Sequence, residues 1–116
     1  MSAGEVRELL AAAFGGPGHP LAGWYGELLA DLPPLRAFTA ANASKIRKKA
    51  RHAADAEARR DLRCELAVAA ALADRRSPLV YEPLAAAGGR GPDFLLSHKG
   101  HTPVYVEVSR MRPARG

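Results

Sequence analysis

Residues 92–109 read PDFLLSHKGHTPVYVEVS and contain the hydrophobic pattern that decides the fold class. Residues 104–109 are rich in β-branched side chains and alternate with a period of two, which is typical of a strand. Residues 93–97 predict a second strand, and residues 98–101 predict the hairpin connection. The alternation places Tyr105, Glu107 and Ser109 on one side of the last strand, and Val104, Val106, Val108 and Arg110 on the other.

The sequence before residue 92 changes from a helical period to this strand period near Ser77-Pro78. Residues 79–81 predict a short strand, followed by a glycine-rich loop at 85–91. Apolar residues at helical spacing predict helices at 5–14 and 21–32, which Gly15-Gly16 and Pro33-Pro34 end. The order predicts an α+β fold, with N-terminal helices followed by a three-stranded, mainly antiparallel sheet.

A third helix is predicted over residues 42–76, with Asn42 or Ser44 as its N-cap. Its first half is basic and its second half is mostly apolar, and a break between residues 53 and 58 remains open. With 116 residues, the chain has the size of one domain. Within residues 1–116 we expect an N-terminal helical part at 1–41, the long helix at 42–76 and the sheet at 78–111.

The composition excludes several classes of protein. Hydrophobic residues make up 47% and charged residues 25%, as in an average globular domain. A single cysteine, Cys64, excludes an internal disulfide framework and a cysteine-based zinc cluster. No apolar run approaches the ~20 residues that span a bilayer, and no basic segment followed by an apolar stretch opens the chain. We therefore expect a cytoplasmic protein that does not enter membranes.

The charge distribution indicates a nucleic-acid partner. The net charge is +5, with a pI of about 9.9, and residues 36–63 carry nine lysines or arginines against three acids. Such a basic segment is typical of phosphate-backbone contact, although a solvated helix face is the common alternative. The candidate nucleic-acid-binding residues are Lys45, Arg47, Lys48, Lys49, Arg51 and Arg59, with Arg90 from the glycine-rich loop.

Two carboxylates lie in apolar surroundings on the predicted hairpin. Asp93 opens one strand and Glu107 lies near the end of the other, so a hairpin places both at the end of the sheet far from the turn. Buried carboxylates are costly unless they are paired or bind a cation, and Mg²⁺ prefers such oxygen ligands. The alternatives are that Asp93 is a turn residue and that Glu107 faces solvent or pairs with an arginine.

Three features in this order resemble the core of the PD-(D/E)xK nuclease superfamily, the restriction-endonuclease-like proteins. They are Glu65 on a helix, Pro92-Asp93, and Glu107-Val108-Ser109. The resemblance covers residues 63–110. It implies that Asp93 and Glu107 bind Mg²⁺ or Mn²⁺ with the Val108 carbonyl oxygen as a further ligand, and that Glu65 supports the site. The implied activity is that of a metal-dependent endonuclease that hydrolyses phosphodiester bonds, and we expect DNA as the nucleic acid.

The sequence departs from the family pattern at Ser109, which stands where the family has its catalytic lysine. A serine hydroxyl can bond to water but brings no charge, so Arg90, Lys99 or Arg63 would have to supply it. The family core also continues into a further helix and strand, so we expect a trimmed core here. The alternatives are a catalytically inactive nucleic-acid-binding module and a homo-oligomeric module that dimerises through its last strand.

Overall fold

The computed structural model describes residues 3–73, 79–83, 91–97 and 102–109. Arg90, Lys99, Arg110 and the predicted turn at 98–101 lie outside them. In chain order the elements are α1 (Ala3–Phe14), α2 (Ala22–Asp31), α3 (Pro33–His52), α4 (Ala56–Leu72), β1 (Leu79–Tyr81), β2 (Phe94–Leu96) and β3 (Val104–Val106). The predicted α+β class, with helices followed by a three-stranded antiparallel sheet, is confirmed. No helix within these ranges is long and apolar enough to cross a membrane.

The first three helices surround a buried polar contact. The Tyr25 ring of α2 is fully buried and meets the edge of the Phe14 ring of α1 at 5.5 Å between centroids. Thr39 on α3 donates its hydroxyl proton to the Leu35 carbonyl at 2.8 Å. The hydroxyl of Tyr25 therefore donates to Thr39 Oγ1, at 2.7 Å. This chain of hydrogen bonds satisfies both buried hydroxyls.

The prediction of one continuous helix over residues 42–76 is wrong, because two helices cover this region, and they are separated by the break that the sequence left open between residues 53 and 58. The first of these, α3, begins at Pro33. A proline does not destabilise this position, because an N–H group in the first turn has no partner within the helix. Asn42 is not an N-cap but lies at a kink inside α3, where its side chain donates to the Phe38 carbonyl at 2.9 Å. After Ala53 leaves helical geometry, Asp55 caps α4 by accepting the Ala58 N–H at 2.7 Å.

The sheet has the order β1-β2-β3 and packs one face against Phe38 of α3. Tyr81 pairs with Phe94, and Phe94 pairs with Val106. The buried Tyr81 and Phe94 rings stack at 5.3 Å, and Phe38 of α3 packs against both. On the opposite face, Val80 and Tyr105 are exposed. Phe38 therefore anchors the sheet on α3.

Burial of Tyr25 predicts a loss of stability at alkaline pH. Burial raises the pKa of Tyr25 from 10.0 to about 12. Because the folded-state pKa is raised, this contribution to stability is complete below pH 10 and is lost as the pH rises to about 12. We expect the free energy of unfolding, measured with urea, to lose about 1 kcal/mol from this source by about pH 11.

The Tyr25→Phe variant has no phenol to ionise at this position, so its stability should fall less steeply over the same pH range. Tyr81 is present in both proteins, so its ionisation contributes equally to the two pH profiles. Parallel pH profiles for the two proteins would contradict the assignment.

Candidate functional site

A cleft of about 620 Å³ lies between the second half of α3 and α4. Its two walls are helix faces, because the lining residues of each helix follow the spacing i, i+3, i+4, i+7. From α3 these are Lys45, Lys48, Lys49 and His52, and from α4 they are Ala58, Asp61, Leu62 and Glu65. Ala53 lines the end beside the turn between the helices, and Glu82 lines the end at the sheet.

Lys49 joins three elements at the floor of this cleft. Its Nζ lies 3.0 Å from Glu65 Oε1 on α4 and 3.0 Å from Glu82 Oε2 after β1. The same atom lies 5.4 Å from the centroid of the Tyr81 ring, whose hydroxyl donates to Glu65. The side chains of Lys49 and Glu65 are 29% and 14% exposed, so water screens this pair only in part.

The electrostatics of the cluster keep Lys49 charged and Tyr81 neutral. Burial lowers the pKa of Lys49, but the hydrogen bonds and charges of Glu65 and Glu82 outweigh it, so the pKa lies above its ordinary value. Burial raises the pKa of Tyr81, and the nearby Glu65 charge raises it further. Tyr81 is therefore a permanent hydrogen-bond donor to Glu65 at neutral pH.

Glu82 reaches this cluster through an unusual backbone conformation. Strand alternation would place its side chain opposite that of the inward-facing Tyr81. Glu82 instead has a φ of 51°, in the left-handed region that non-glycine residues rarely adopt. Its N–H still donates to the Asp93 carbonyl at 2.7 Å, and its carboxylate contacts Lys49. The left-handed turn accounts for this change of direction.

The structure places Asp93 and Glu107 at the same end of the hairpin. The last pair of the ladder is Phe94 with Val106, so Asp93 and Glu107 each lie one residue beyond it. Asp93 Oδ2 accepts the backbone N–H of Val108 at 2.7 Å. Glu107 is exposed, and Asp93 thus holds the two strand ends together through one carboxylate oxygen.

The three remaining candidates of the nuclease resemblance are Glu65, Arg63 and Ser109. Glu65 belongs to the Lys49 cluster, where it pairs with Lys49 and Tyr81. Arg63, a candidate for the missing charge, lies with its Cζ 4.9 Å from the centroid of the Trp24 ring. Ser109 is exposed after β3.

The carboxylates Asp93 and Glu107 and the Val108 carbonyl are the groups that would hold a metal ion. No group of three or more histidine, cysteine, aspartate or glutamate side chains converges within the described residues. Mg²⁺ is commonly bound through one or two carboxylates and keeps several waters. By their chemistry, these two carboxylates are the oxygen ligands that the predicted cation would use.

The residues predicted to bind phosphate differ in the groups that their side chains contact. Lys45 donates to the Tyr81 carbonyl at 2.7 Å, Arg47 to the Ala11 carbonyl at 3.3 Å, and Arg59 to the Ala54 carbonyl at 3.1 Å. Lys48 and Arg51 are exposed, and Lys49 pairs with two carboxylates. Within the residues that the structure describes, no carboxylate pairs with Lys45, Arg47 or Arg59.

The sequence analysis did not identify Glu82 or the pairing role of Lys49. The sequence feature that could have indicated the buried position of Lys49 is the apolar stripe beside it. This stripe is formed by Ile46 and Ala50 of α3 and continues in the C-cap residue Ala53. A lysine next to such a stripe is half-buried and needs a carboxylate partner. Glu82 has no comparable signal, because its orientation depends on one left-handed residue.

Comparisons of the chain with family models, with curated proteins and with solved structures find no match.

The Lys49 cluster predicts a strong stability effect. Replacing Lys49 by methionine keeps the length of the side chain but leaves Glu65 and Glu82 without their shared cation. We expect the Lys49→Met variant to lose about 2 kcal/mol in free energy of unfolding, measured by urea denaturation.

The matched control is Lys48→Met, which removes the neighbouring exposed lysine and should change stability by less than about 0.5 kcal/mol. In the Lys49→Met/Glu65→Gln variant, part of the loss should be recovered because the unpaired charge of Glu65 is removed. Equal effects of Lys49→Met and Lys48→Met would contradict the role of the cluster.

Proposed function

We propose that this protein binds nucleic acid through the second half of α3, with backbone phosphates along its exposed cations. The observation that carries this proposal is that Lys45 and Lys48 lie exposed along one wall of the cleft, with Arg51 exposed on the same half of the helix. Residues 45–52 read KIRKKARH and include five lysines or arginines and no acid. Cations on one helical face suit a phosphodiester backbone, whose charges repeat along the strand.

The pairing of Lys49 supports this assignment for the other cations. Within the described residues, Lys45, Arg47, Lys48 and Arg51 have no carboxylate partner. A helix stabilised by its own charges would instead carry acids four residues away. Their uncompensated charge supplies the sequence-independent attraction that dominates nucleic-acid affinity.

Lys48→Ala tests the proposal, because Lys48 is exposed in the cleft. We expect it to weaken DNA binding severalfold and to reduce the slope of log Kobs against log salt by about one. Fluorescence anisotropy with a labelled oligonucleotide over a range of KCl concentrations measures both quantities.

Arg7→Ala on α1 is the control, since it removes the same charge from an exposed position of another helix. Its affinity and salt slope should remain those of the wild type. Equal losses in the two variants, or binding that does not respond to salt, would contradict the proposal.

A second candidate function is Mg²⁺- or Mn²⁺-dependent hydrolysis of phosphodiester bonds, the activity implied by the PD-(D/E)xK resemblance. The specific observation is the placement of Asp93 and Glu107 one residue beyond the last pair of β2 and β3. With the Val108 carbonyl, these groups would hold the cation, which supplies a polarised phosphate and an activated water. The exposed Ser109 hydroxyl would orient that water, and Glu65 would support β1 through Tyr81.

Calorimetric titration with Mn²⁺ tests this second function. We expect the wild type to bind about one equivalent through its one or two carboxylate ligands, and Asp93→Asn and Glu107→Gln to abolish the binding. The asparagine keeps an oxygen that accepts the Val108 N–H, so lost binding reports the carboxylate charge rather than a broken hairpin.

Asp31→Asn, at the end of α2, controls for the loss of a carboxylate elsewhere. Unchanged Mn²⁺ binding in Asp93→Asn, or none in the wild type with a DNA oligonucleotide present, would contradict the hydrolase. Either result would favour the non-catalytic nucleic-acid-binding module.

A further inference from the structure

Strand β3 lies at an edge of the sheet, and the helices leave this edge partly uncovered. Within the residues that the structure describes, β3 pairs with β2 and with no other strand. Val104 lies on the same face as Val106, which packs against the core, and yet Val104 is 54% exposed. An open edge carries unpaired backbone N–H and C=O groups, which form a template for pairing with another strand.

The hydrogen bonds of the sheet show which backbone groups of β3 point to the open edge. Glu82 donates its N–H to the carbonyl of Asp93, the residue opposite it, at 2.7 Å. Because hydrogen-bonded pairs alternate with other pairs along an antiparallel ladder, the next residue of β2, Phe94, directs its N–H and C=O groups toward β3. Its partner Val106 points back at β2, so Tyr105 directs its own N–H and C=O groups to the open edge.

The far end of β3 follows the same alternation. The N–H of Val108 points to the β2 side, since it donates to Asp93 Oδ2 at 2.7 Å. Glu107, one residue earlier, therefore directs its backbone groups to the open edge, as Tyr105 does. Pro103 offers only its carbonyl oxygen there, because proline has no N–H. The donors of this edge are thus the N–H groups of Tyr105 and Glu107.

The sequence of this edge is complementary to itself. Residues 104–108 read VYVEV, so an antiparallel pair of two copies centred on Val106 sets valine opposite valine and Tyr105 opposite Glu107. Both edge donors then find a carbonyl oxygen on the other copy. A pair centred on Tyr105 would instead set Glu107 against Pro103, which has no N–H, and a pair centred on Glu107 would oppose two like charges.

We propose that β3 is a homodimer interface, at which two copies of the chain pair antiparallel through Tyr105 and Glu107 and join their sheets into one. A two-fold axis perpendicular to the sheet keeps the inward faces of both copies on the same side. Val104 of each copy then packs against Val108 of the other, which buries the exposed valine. The interface lies outside the basic half of α3, so this inference goes beyond the proposed function and does not rest on it.

Sedimentation velocity of the full chain at increasing concentration tests the interface. We expect the mass to rise from that of one chain, 12.3 kDa, to twice that value. Tyr105→Pro should keep the mass of one chain, because it removes an N–H at the open edge without breaking a hydrogen bond to β2. Tyr105→Val is the control: it also removes the ring but keeps the N–H, so it should still dimerise.

A second pair of variants tests the contact between the inward faces. Val104→Lys sets a charge against Val108 of the second copy and should dissociate the dimer. Val80→Lys is the control, because it changes another exposed valine, on β1 at the opposite edge of the sheet, and should leave the dimer intact. Circular dichroism should show the wild-type spectrum for both variants, since each valine is exposed in the single chain.

Disulfide formation tests the register. The two Val106 residues lie opposite each other in the dimer, at about 4.5 Å between their Cα atoms, which suits a disulfide bond. Val106→Cys in a Cys64→Ser background should therefore form a covalent dimer on mild oxidation, whereas Val80→Cys in the same background should not.

A wild type that keeps the mass of one chain at every concentration would overturn the proposal. A dimer that persists in both Tyr105→Pro and Val104→Lys would also overturn it, because the contact would then lie elsewhere on the chain. Cross-linking of Val80→Cys but not of Val106→Cys would contradict the proposed register.

Discussion

The charge of Lys49 is the constraint on which the arrangement of the helices and the sheet depends. A half-buried ammonium must be paired, and Lys49 is paired at 3.0 Å with Glu65 of α4 and with Glu82 after β1. The left-handed backbone of Glu82 accompanies the contact of its carboxylate with this cation, and Tyr81, kept neutral by burial and by the Glu65 charge, donates to Glu65. One cation thus links the long basic helix to both of the elements that follow it in the chain.

This pairing also determines which charges remain for a ligand. Lys49 is compensated inside the cleft, while Lys48 and Arg51 remain exposed on α3. The attraction for an anionic ligand therefore comes from Lys48 and Arg51 rather than from Lys49, so it depends on which lysine the carboxylates pair with. Net charge alone, which the composition already gives as +5, does not carry that information.

The sequence predicted the strands well and the helix boundaries less well, for physical reasons. The alternation at 104–109 depends only on local chemistry, so Val106 and Val108 pack inward and Tyr105 lies outside, as expected. The helix break at 53–55 depends on Asp55 as a cap in an otherwise helix-favouring stretch. The placement of Asp93 and Glu107 followed from hairpin geometry, whereas the contact of Lys49 with Glu82 depends on tertiary packing that no local pattern encodes.

The most direct test of the account is a two-dimensional ¹H–¹⁵N NMR titration of the labelled protein with a short single DNA strand. The account predicts that the amide shifts concentrate on the two walls of the cleft, in residues 45–52 of α3 and 58–65 of α4, and that added salt reverses them. Shifts confined to α1 and α2, or spread evenly over the basic residues of the chain, would contradict the claim that the α3–α4 cleft is the binding site.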